Sequence, residues 1–162
     1  MVIWFTGLSG AGKTTLAEKI AERIGKRAVV LDGDGLRKFF TGLKFDKRSR
    51  SQHGRNIARF AAYLEDRGFI PIVSLISPYR QDRQYAREIA DKFVEVYVST
   101  PLEICRARDP KGLYEKAKRR EIRNLTGEQA PYEPPEGPEV AINTTHQSIE
   151  ACVGEIWDVL DL

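Results

Sequence analysis

Eight consecutive residues near the N-terminus, 7–14, match the pattern G-x-x-x-x-G-K-[ST] in full. A short apolar run precedes them and helical spacing follows, which is the strand–loop–helix setting that this pattern requires. Glycines let backbone N–H groups curl around an anion, and a helix N-terminus adds partial positive charge. The pattern therefore predicts a loop that binds phosphate groups. The alternative is a glycine-rich turn that carries an incidental lysine.

The residue types in this loop predict separate roles in binding ATP and Mg²⁺. Lys13 is expected to bridge the β- and γ-phosphates, and Thr14 is expected to offer its hydroxyl to Mg²⁺. A D-x-x-G pattern at 32–35 is typical of GTPases, but no N-K-x-D motif follows it, so guanine recognition has no support. The other residues assigned to the nucleotide are Gly7, Leu8, Ser9, Gly10, Ala11, Gly12 and Thr15.

Two aspartates, Asp32 and Asp34, directly follow the second predicted strand. Ligands of open α/β sheets bind beyond the carboxyl ends of the strands, so these residues should face the phosphate loop. A carboxylate there could hold Mg²⁺ or accept the proton of a hydroxyl group, and Arg37 could bind an anion. Either aspartate could instead cap a helix. Ser77 ends the third predicted strand and could bind a substrate or merely start the next helix.

Cations are crowded at 45–55, at the start of a predicted helix. One interpretation is a socket for a doubly charged acceptor, with Phe45 as a stacking platform for a base. The alternative is a solvated charged face. Arg50 and Arg55 are five residues apart, so their side chains need not point the same way.

Apolar runs alternate with helical spacing along the whole chain. This alternation predicts an α/β fold with three layers, a mostly parallel five-stranded sheet and helices on both faces. Residues 106–138 are first basic and then rich in proline, which predicts a mobile lid that excludes water. We expect one domain, 1–162. The predicted strands are 2–6, 28–31, 69–75, 94–98 and 140–143, and the predicted helices include 13–24, a helix through 57–64, 81–92 and one through 149–160.

The composition excludes several classes of protein. The net charge is +3, from 26 Lys and Arg against 23 Asp and Glu, which is too small for a protein that coats nucleic acid. The two cysteines match neither a zinc site nor a redox pair. No apolar run near the N-terminus is long enough for a signal peptide or a membrane span. We therefore expect a cytoplasmic protein with neither nucleic acid nor membrane as a partner.

The motifs resemble those of adenylylsulfate kinases, also called APS kinases, nearly from end to end. The pieces around Asp32, Ser77 and Lys111 separate this family from other small kinases. The matching segments are 7–17, 31–34 with Arg37, 72–74 with 76–80, 95–98, 100–103, 108–114, 116–117, 126–127 and 131–133.

The resemblance implies an enzyme that uses ATP and Mg²⁺ to phosphorylate the 3′-hydroxyl of adenosine 5′-phosphosulfate during sulfate activation. It implies a homodimer, with fusion to or association with ATP sulfurylase as a further expectation. By position, Lys13, Asp32 and Ser77 look catalytic, Ser77 matching a serine that the family assigns to a phosphoserine intermediate. Arg108 looks like a wall of the ATP adenine site. The acceptor side is assigned to Asp34, Arg37, Phe45, Arg50, His53, Ile76, Ser77, Lys111, Gly112 and Leu113.

Four residues depart from the family pattern. Ser49 and Arg50 stand where the family carries Asp-Arg, and His53-Gly54-Arg55 stands where it carries Asn-Ile-Arg. Leu125 replaces a phenylalanine before the Thr-Gly pair of the lid. These changes keep two alternatives open: a kinase for another small hydroxyl acceptor, such as a nucleoside or sugar, or a non-catalytic nucleotide-binding domain of a larger assembly.

Overall fold

Five short apolar segments form one parallel sheet in the computed structural model, which describes residues 1–40, 42 and 44–162. The strands are β1 (Val2–Thr6), β2 (Ala28–Asp32), β3 (Ile70–Ser74), β4 (Phe93–Val98) and β5 (Val140–Ile142). Their spatial order is β2-β3-β1-β4-β5, and every neighbouring pair is parallel. The predicted five-stranded sheet is therefore confirmed.

Helices cover both faces of the sheet, because its strands are apolar on both sides. The described helices are α1 (Lys13–Ile24), α2 (Gly33–Arg37), α3 (Lys47–Glu65), α4 (Arg80–Ile89), α5 (Leu102–Arg108), α6 (Leu113–Lys118) and α7 (Ile149–Leu160). Alternation along β1 places Ile3 and Phe5 in a core with α1 and α7, and Val2 and Trp4 in a second core with α3 and α4. The three-layer prediction is thus confirmed.

The predicted helix at 81–92 is too long at its C-terminal end, since α4 ends at Ile89. The backbone N–H groups of Asp91 and Lys92 donate to the two carboxylate oxygens of Glu65, at 3.0 and 3.1 Å, instead of to carbonyls of their own helix. The Glu65 side chain of α3 therefore binds the backbone between α4 and β4 and fixes where α4 ends.

Two other details differ from the sequence pattern: the burial of one residue of α3 and the length of β3. Phe60 belongs to the apolar stripe of α3, yet it is 42% exposed, and its ring stacks on Tyr63 at 6.4 Å. β3 is one residue shorter at each end than 69–75. The short helices α5 and α6 were not predicted, because six or seven residues carry too little helical periodicity to detect, and α2 was considered only as a helix that Asp32 or Asp34 could cap.

The segment predicted as a lid has two parts with different attachments. Its first part contains the end of α5, all of α6 and a loop with one bridge between Thr126 and Ala130. Its second part, 131–138, which we call the return segment, is hydrogen-bonded to the segment that follows β3: the N–H of Glu133 donates to the Pro78 carbonyl at 2.8 Å. No helix among the described residues has the length and apolarity to cross a membrane.

Gly54 offers a direct test of helix packing, because it lies inside α3 where an added Cβ would meet nothing within 4 Å outside its own helix. We expect Gly54→Ala to raise the free energy of unfolding by about 0.5–1 kcal/mol, since alanine loses less backbone entropy in a helix. Urea denaturation measures the change. Gly154→Ala, at an equally open position of α7, is the matched control. Stabilisation at 154 together with destabilisation at 54 would contradict the prediction.

Candidate functional site

A cavity of about 690 Å³ opens beyond the carboxyl ends of the central strands, between the phosphate loop, α2, α3 and the first part of the lid. This volume is typical of a small-molecule site. Most of the residues predicted from sequence meet there, although they are up to about a hundred positions apart. Those lining it are Ser9, Gly10, Gly12, Lys13, Thr14, Thr15, Asp32, Asp34, Arg37, Phe45, Arg50, His53, Ile76, Ser77, Arg108, Lys111 and Leu113.

Four predicted residues do not line the cavity. Gly7 has a φ of +148°, and a Cβ there would lie 2.4 Å from the Val98 carbonyl oxygen, so only glycine fits. Ala11 is fully buried beneath the loop. The Leu8 carbonyl accepts a hydrogen bond from Lys13, and Gly112 is the N-cap of α6, with a φ of +64°. These residues therefore shape the loop and the lid.

Lys13 is the buried cation at the base of the cavity. Its Nζ donates to the carbonyl of Leu8 at 2.7 Å. Burial, and secondly the positive charge of Lys111, lowers its pKa to about 8. A phosphate group that displaced the carbonyl would give this ammonium group a full negative charge as partner and would raise its pKa again.

This pKa predicts that nucleotide binding takes up a proton above pH 8. At pH 8.5 Lys13 is partly neutral in the free protein and charged beside phosphate, whereas at pH 7 it is charged in both states. Calorimetric titration with a non-hydrolysable ATP analogue and Mg²⁺, in buffers of different ionisation enthalpy, measures the uptake. Lys13→Met is the control, because it removes the titrating group. Equal uptake by the variant and the parent protein at pH 8.5 would contradict the assignment.

Thr14 and Asp32 provide hydroxyl and carboxylate oxygens at the cavity. Thr14 Oγ1 lies 3.2 Å from Ser74 Oγ. Asp32 Oδ2 accepts from the Gly35 N–H at 2.8 Å, and its other oxygen has no hydrogen-bond partner among the described residues. Mg²⁺ prefers one or two protein oxygens together with substrate phosphates, so these two side chains fit it. The described part of the chain holds no cluster of three or more acidic, histidine or cysteine residues that would enclose a metal ion.

Of the two aspartates considered as helix caps, Asp32 is the one that caps α2. The capping interpretation of Asp34 is wrong: it lies in the first turn of α2, is exposed, and forms an ion pair with Lys111 of the lid. Asp32 thus holds its own turn in place while facing the cavity.

The acceptor side of the cavity combines cations with an aromatic ring. The guanidinium of Arg37 lies 4.5 Å from the centre of the Phe45 ring and donates to the Lys44 carbonyl at 2.9 Å. Phe45 is 58% exposed, so its ring is available for stacking. Arg55, in contrast, pairs with Asp82 at 2.9 Å and does not line the cavity, so Arg50 and Arg55 point in different directions.

Arg50 reaches across the cavity to the lid, where it donates to the Asn124 carbonyl and to Thr126 Oγ1. Together with the pair between Lys111 and Asp34, it joins the first part of the lid to α2 and α3. Both cations contact protein oxygens that an anionic ligand could replace.

His53 is buried beside the turn that carries Asp32. Its Nε2 lies 2.8 Å from the Gly33 carbonyl oxygen, and because a carbonyl only accepts, Nε2 carries the proton. Burial lowers the pKa of His53, and Nδ1 has no partner within the described ranges. The residue is therefore a neutral imidazole that supports the backbone next to Asp32.

Ser77 has a buried hydroxyl that accepts a hydrogen bond from Trp4 Nε1 at 3.0 Å. The interpretation of Ser77 as the start of the next helix is wrong in detail, since the N-cap position of α4 is Tyr79. Ser77 has a φ of +38°, which is uncommon for a residue other than glycine.

Two threonines that brace the phosphate loop were missed by the sequence analysis. Thr144 Oγ1 and Thr100 Oγ1 donate to the Ala11 carbonyl at 2.9 and 3.1 Å, and Arg108 donates to Thr144 Oγ1 at 2.7 Å. They follow β5 and β4. The rule that ligands lie beyond strand ends, which singled out Asp32, would have found them if applied to every strand.

Comparisons with known proteins agree with this geometry. The family model for adenylylsulphate kinase matches residues 1–143. A probable adenylyl-sulfate kinase of Archaeoglobus fulgidus is 52% identical over 147 residues, covering 88% of this chain and 95% of that protein.

Two solved structures extend the comparison to three dimensions. A Mycobacterium tuberculosis APS kinase in complex with AMPPNP and APS is 38% identical, with a TM-score of 0.94, and covers 99% of this chain and 97% of that one. A hexameric APS kinase from Thiobacillus denitrificans is 34% identical, with a TM-score of 0.73 over 98% of this chain and 28% of that one. The chain therefore belongs to the adenylylsulphate kinase family.

Proposed function

We propose that this chain transfers the γ-phosphate of ATP to the 3′-hydroxyl of adenosine 5′-phosphosulfate, with Mg²⁺, to give ADP and 3′-phosphoadenylyl sulfate. The observation that carries the proposal is a single cavity that joins a phosphate loop to a cationic, aromatic acceptor side. The similar structure with AMPPNP and APS bound shows that this fold can hold both nucleotides.

In the proposed reaction the acceptor oxygen attacks the γ-phosphorus while the bond to the β,γ-bridging oxygen breaks, and ADP leaves. Lys13 stabilises the negative charge that develops on the transferred group and the leaving oxygen. The acceptor proton goes to Asp32 or, where that carboxylate serves the metal ion, to water. Thr14 and Asp32 are the residues that would hold Mg²⁺, which would neutralise part of the phosphate charge there.

Direct transfer is favoured over a phosphoserine intermediate by the surroundings of Ser77. Its Oγ lies against Trp4, and no described carboxylate or histidine lies within hydrogen-bond distance to remove its proton. We propose that Ser77, with Ile76 and Pro78, forms the side of the cavity that faces the acceptor, which we call the acceptor wall.

The acceptor carries negative charge at its phosphate and sulfate groups, which suits Arg37, Arg50 and Lys111. The ring of Phe45 offers a face for the acceptor adenine. On this proposal the anionic groups of the acceptor replace the protein oxygens that now contact Arg50 and Lys111. The bound acceptor then joins the first part of the lid to α2 and α3 in place of those contacts.

The assembly and setting of the protein are part of the proposal. We propose a single-domain homodimer in the cytoplasm, working beside an ATP sulfurylase that makes its acceptor. Light scattering coupled to gel filtration tests the dimer. A monomeric mass at assay concentration would contradict it.

Acceptor-dependent release of ADP tests the function. Purified protein, Mg²⁺, ATP and adenosine 5′-phosphosulfate should give ADP and a 3′-phosphorylated product, identified by mass spectrometry. ADP formation that does not depend on the acceptor would contradict the proposal. A nucleoside or sugar with a higher kcat/KM would favour a different acceptor, and nucleotide binding without any turnover would favour a non-catalytic domain.

A further inference from the structure

A buried arginine outside the predicted site joins three segments of the chain. Arg83 of α4 is 3% exposed, and its Nε donates to Glu95 Oε1 at 2.7 Å. Its two terminal nitrogens donate at 2.6 Å to the carbonyls of Ser77 and Glu133. A planar guanidinium with all three nitrogens engaged fixes the relative positions of its partners. Arg83 thereby couples the segment after β3 to the return segment.

The return segment makes a second contact with the same edge of the sheet through Tyr132. The hydroxyl of Tyr132 lies 2.9 Å from Thr6 Oγ1, and that oxygen lies 2.8 Å from the carbonyl of Ile76. The Tyr132 ring stacks on Tyr97 at 6.0 Å. Thr6 immediately precedes the phosphate loop, so the return segment connects the phosphate loop to the acceptor wall.

The acceptor wall itself needs this support. It consists of Ile76, Ser77 and Pro78, all of which line the cavity. The positive φ of Ser77 is strained for a residue other than glycine and persists only where neighbouring groups hold it. Trp4 holds the side chain of Ser77 and Arg83 holds its carbonyl.

We propose that Arg83 is a positioning residue for the acceptor nucleotide: together with Tyr132 it sets the place of the 76–78 wall relative to the phosphate loop. The proposal rests on the proposed function, because it assigns the wall to the acceptor. Arg83 contacts the backbone of the wall and is absent from the cavity lining, so its effect on the acceptor is indirect.

Arg83→Lys tests this role, because lysine keeps the charge beside Glu95 but cannot reach both carbonyls with the same geometry. We expect the KM for adenosine 5′-phosphosulfate to rise roughly tenfold, as for loss of one hydrogen bond from a charged donor, while the KM for ATP stays within about twofold. Arg87→Lys is the matched control. Arg87 belongs to the same network, through Glu95 and Glu139, and contacts no residue of the wall.

A merely stabilising arginine would give a different pattern. In that case Arg83→Lys would lower the melting temperature and leave both KM values unchanged, which would overturn the inference. Tyr132→Phe removes one hydroxyl at nearly constant volume. If Arg83→Lys does not fold, the Tyr132→Phe variant tests the inference in its place. A severalfold rise in its KM for the acceptor supports the inference, and an unchanged KM overturns it.

Calorimetric binding of the acceptor in the presence of Mg²⁺ and ADP separates the two proposals. Parent protein that binds no adenosine 5′-phosphosulfate contradicts the proposed function and this inference together. Parent protein that binds it, with equal affinity in Arg83→Lys, contradicts the inference alone.

Discussion

Lys13→Ala is expected to lower kcat/KM by about a hundred- to a thousandfold, the range found when one donor to a transition-state anion is removed. Lys13 is the buried cation of the phosphate loop, and its hydrogen-bond partner among the described residues is the Leu8 carbonyl. Burial depresses its pKa, so its charge opposes folding at neutral pH. Loss of activity should therefore not result from loss of the folded state. Steady-state ADP release, with a thermal melt of the same preparation, measures both quantities.

Lys19→Ala is the control for this experiment. Lys19 lies on the exposed side of α1 and pairs with Glu22 at 2.8 Å, away from the cavity. Its replacement should change kcat/KM by less than about twofold, because exposed ion pairs contribute little. A Lys13→Ala protein that keeps a tenth or more of the parent activity would place the donor site elsewhere.

Asp32→Asn is expected to lower kcat by about a hundredfold or more, because the amide neither accepts a proton nor supplies charge to Mg²⁺. Asparagine is as good an N-cap as aspartate, so the hydrogen bond from Gly35 and the start of α2 should survive. The variant therefore removes the chemistry while keeping the turn. Single-turnover transfer from ATP at saturating acceptor reports the step directly.

Asp46→Asn provides the comparison for a purely structural cap. Asp46 caps α3 by accepting from the Ser49 N–H at 2.9 Å, outside the cavity lining. We expect unchanged kcat in this variant. If both variants lost kcat equally, the loss would not be specific to Asp32, and the catalytic assignment of Asp32 would be contradicted.

The fold was largely predictable from the sequence because its signals are local. Each strand is a short apolar run, and the longer helices show regular spacing of apolar residues. The phosphate loop is a contiguous motif, so its strand, turn and helix followed directly. The predicted end of α4 was wrong because the true end depends on Glu65, a residue of another helix. The residues around position 90 contain no pattern that indicates this contact.

The site was predictable as a set of residues but not as a set of contacts. Lys13 follows from the phosphate-loop motif, and Asp32 follows from its place at the end of a strand. The partners of Arg50, however, are 74 and 76 positions away, and Trp4 holds Ser77 across 73 positions. Arg83 was not found at all, since a single arginine in an amphipathic helix normally indicates a solvated face.

Because Thr144 donates to the Ala11 carbonyl, we expect the phosphate loop to be completed only late in synthesis. A motif at the start of the chain receives its brace from a residue near the end. Domains fold as units as they leave the ribosome. Nascent chains stalled before position 144 should therefore carry the complete glycine-rich sequence and yet be poorly retained on an ATP resin, and retention should appear only once β5 and its following threonine have emerged.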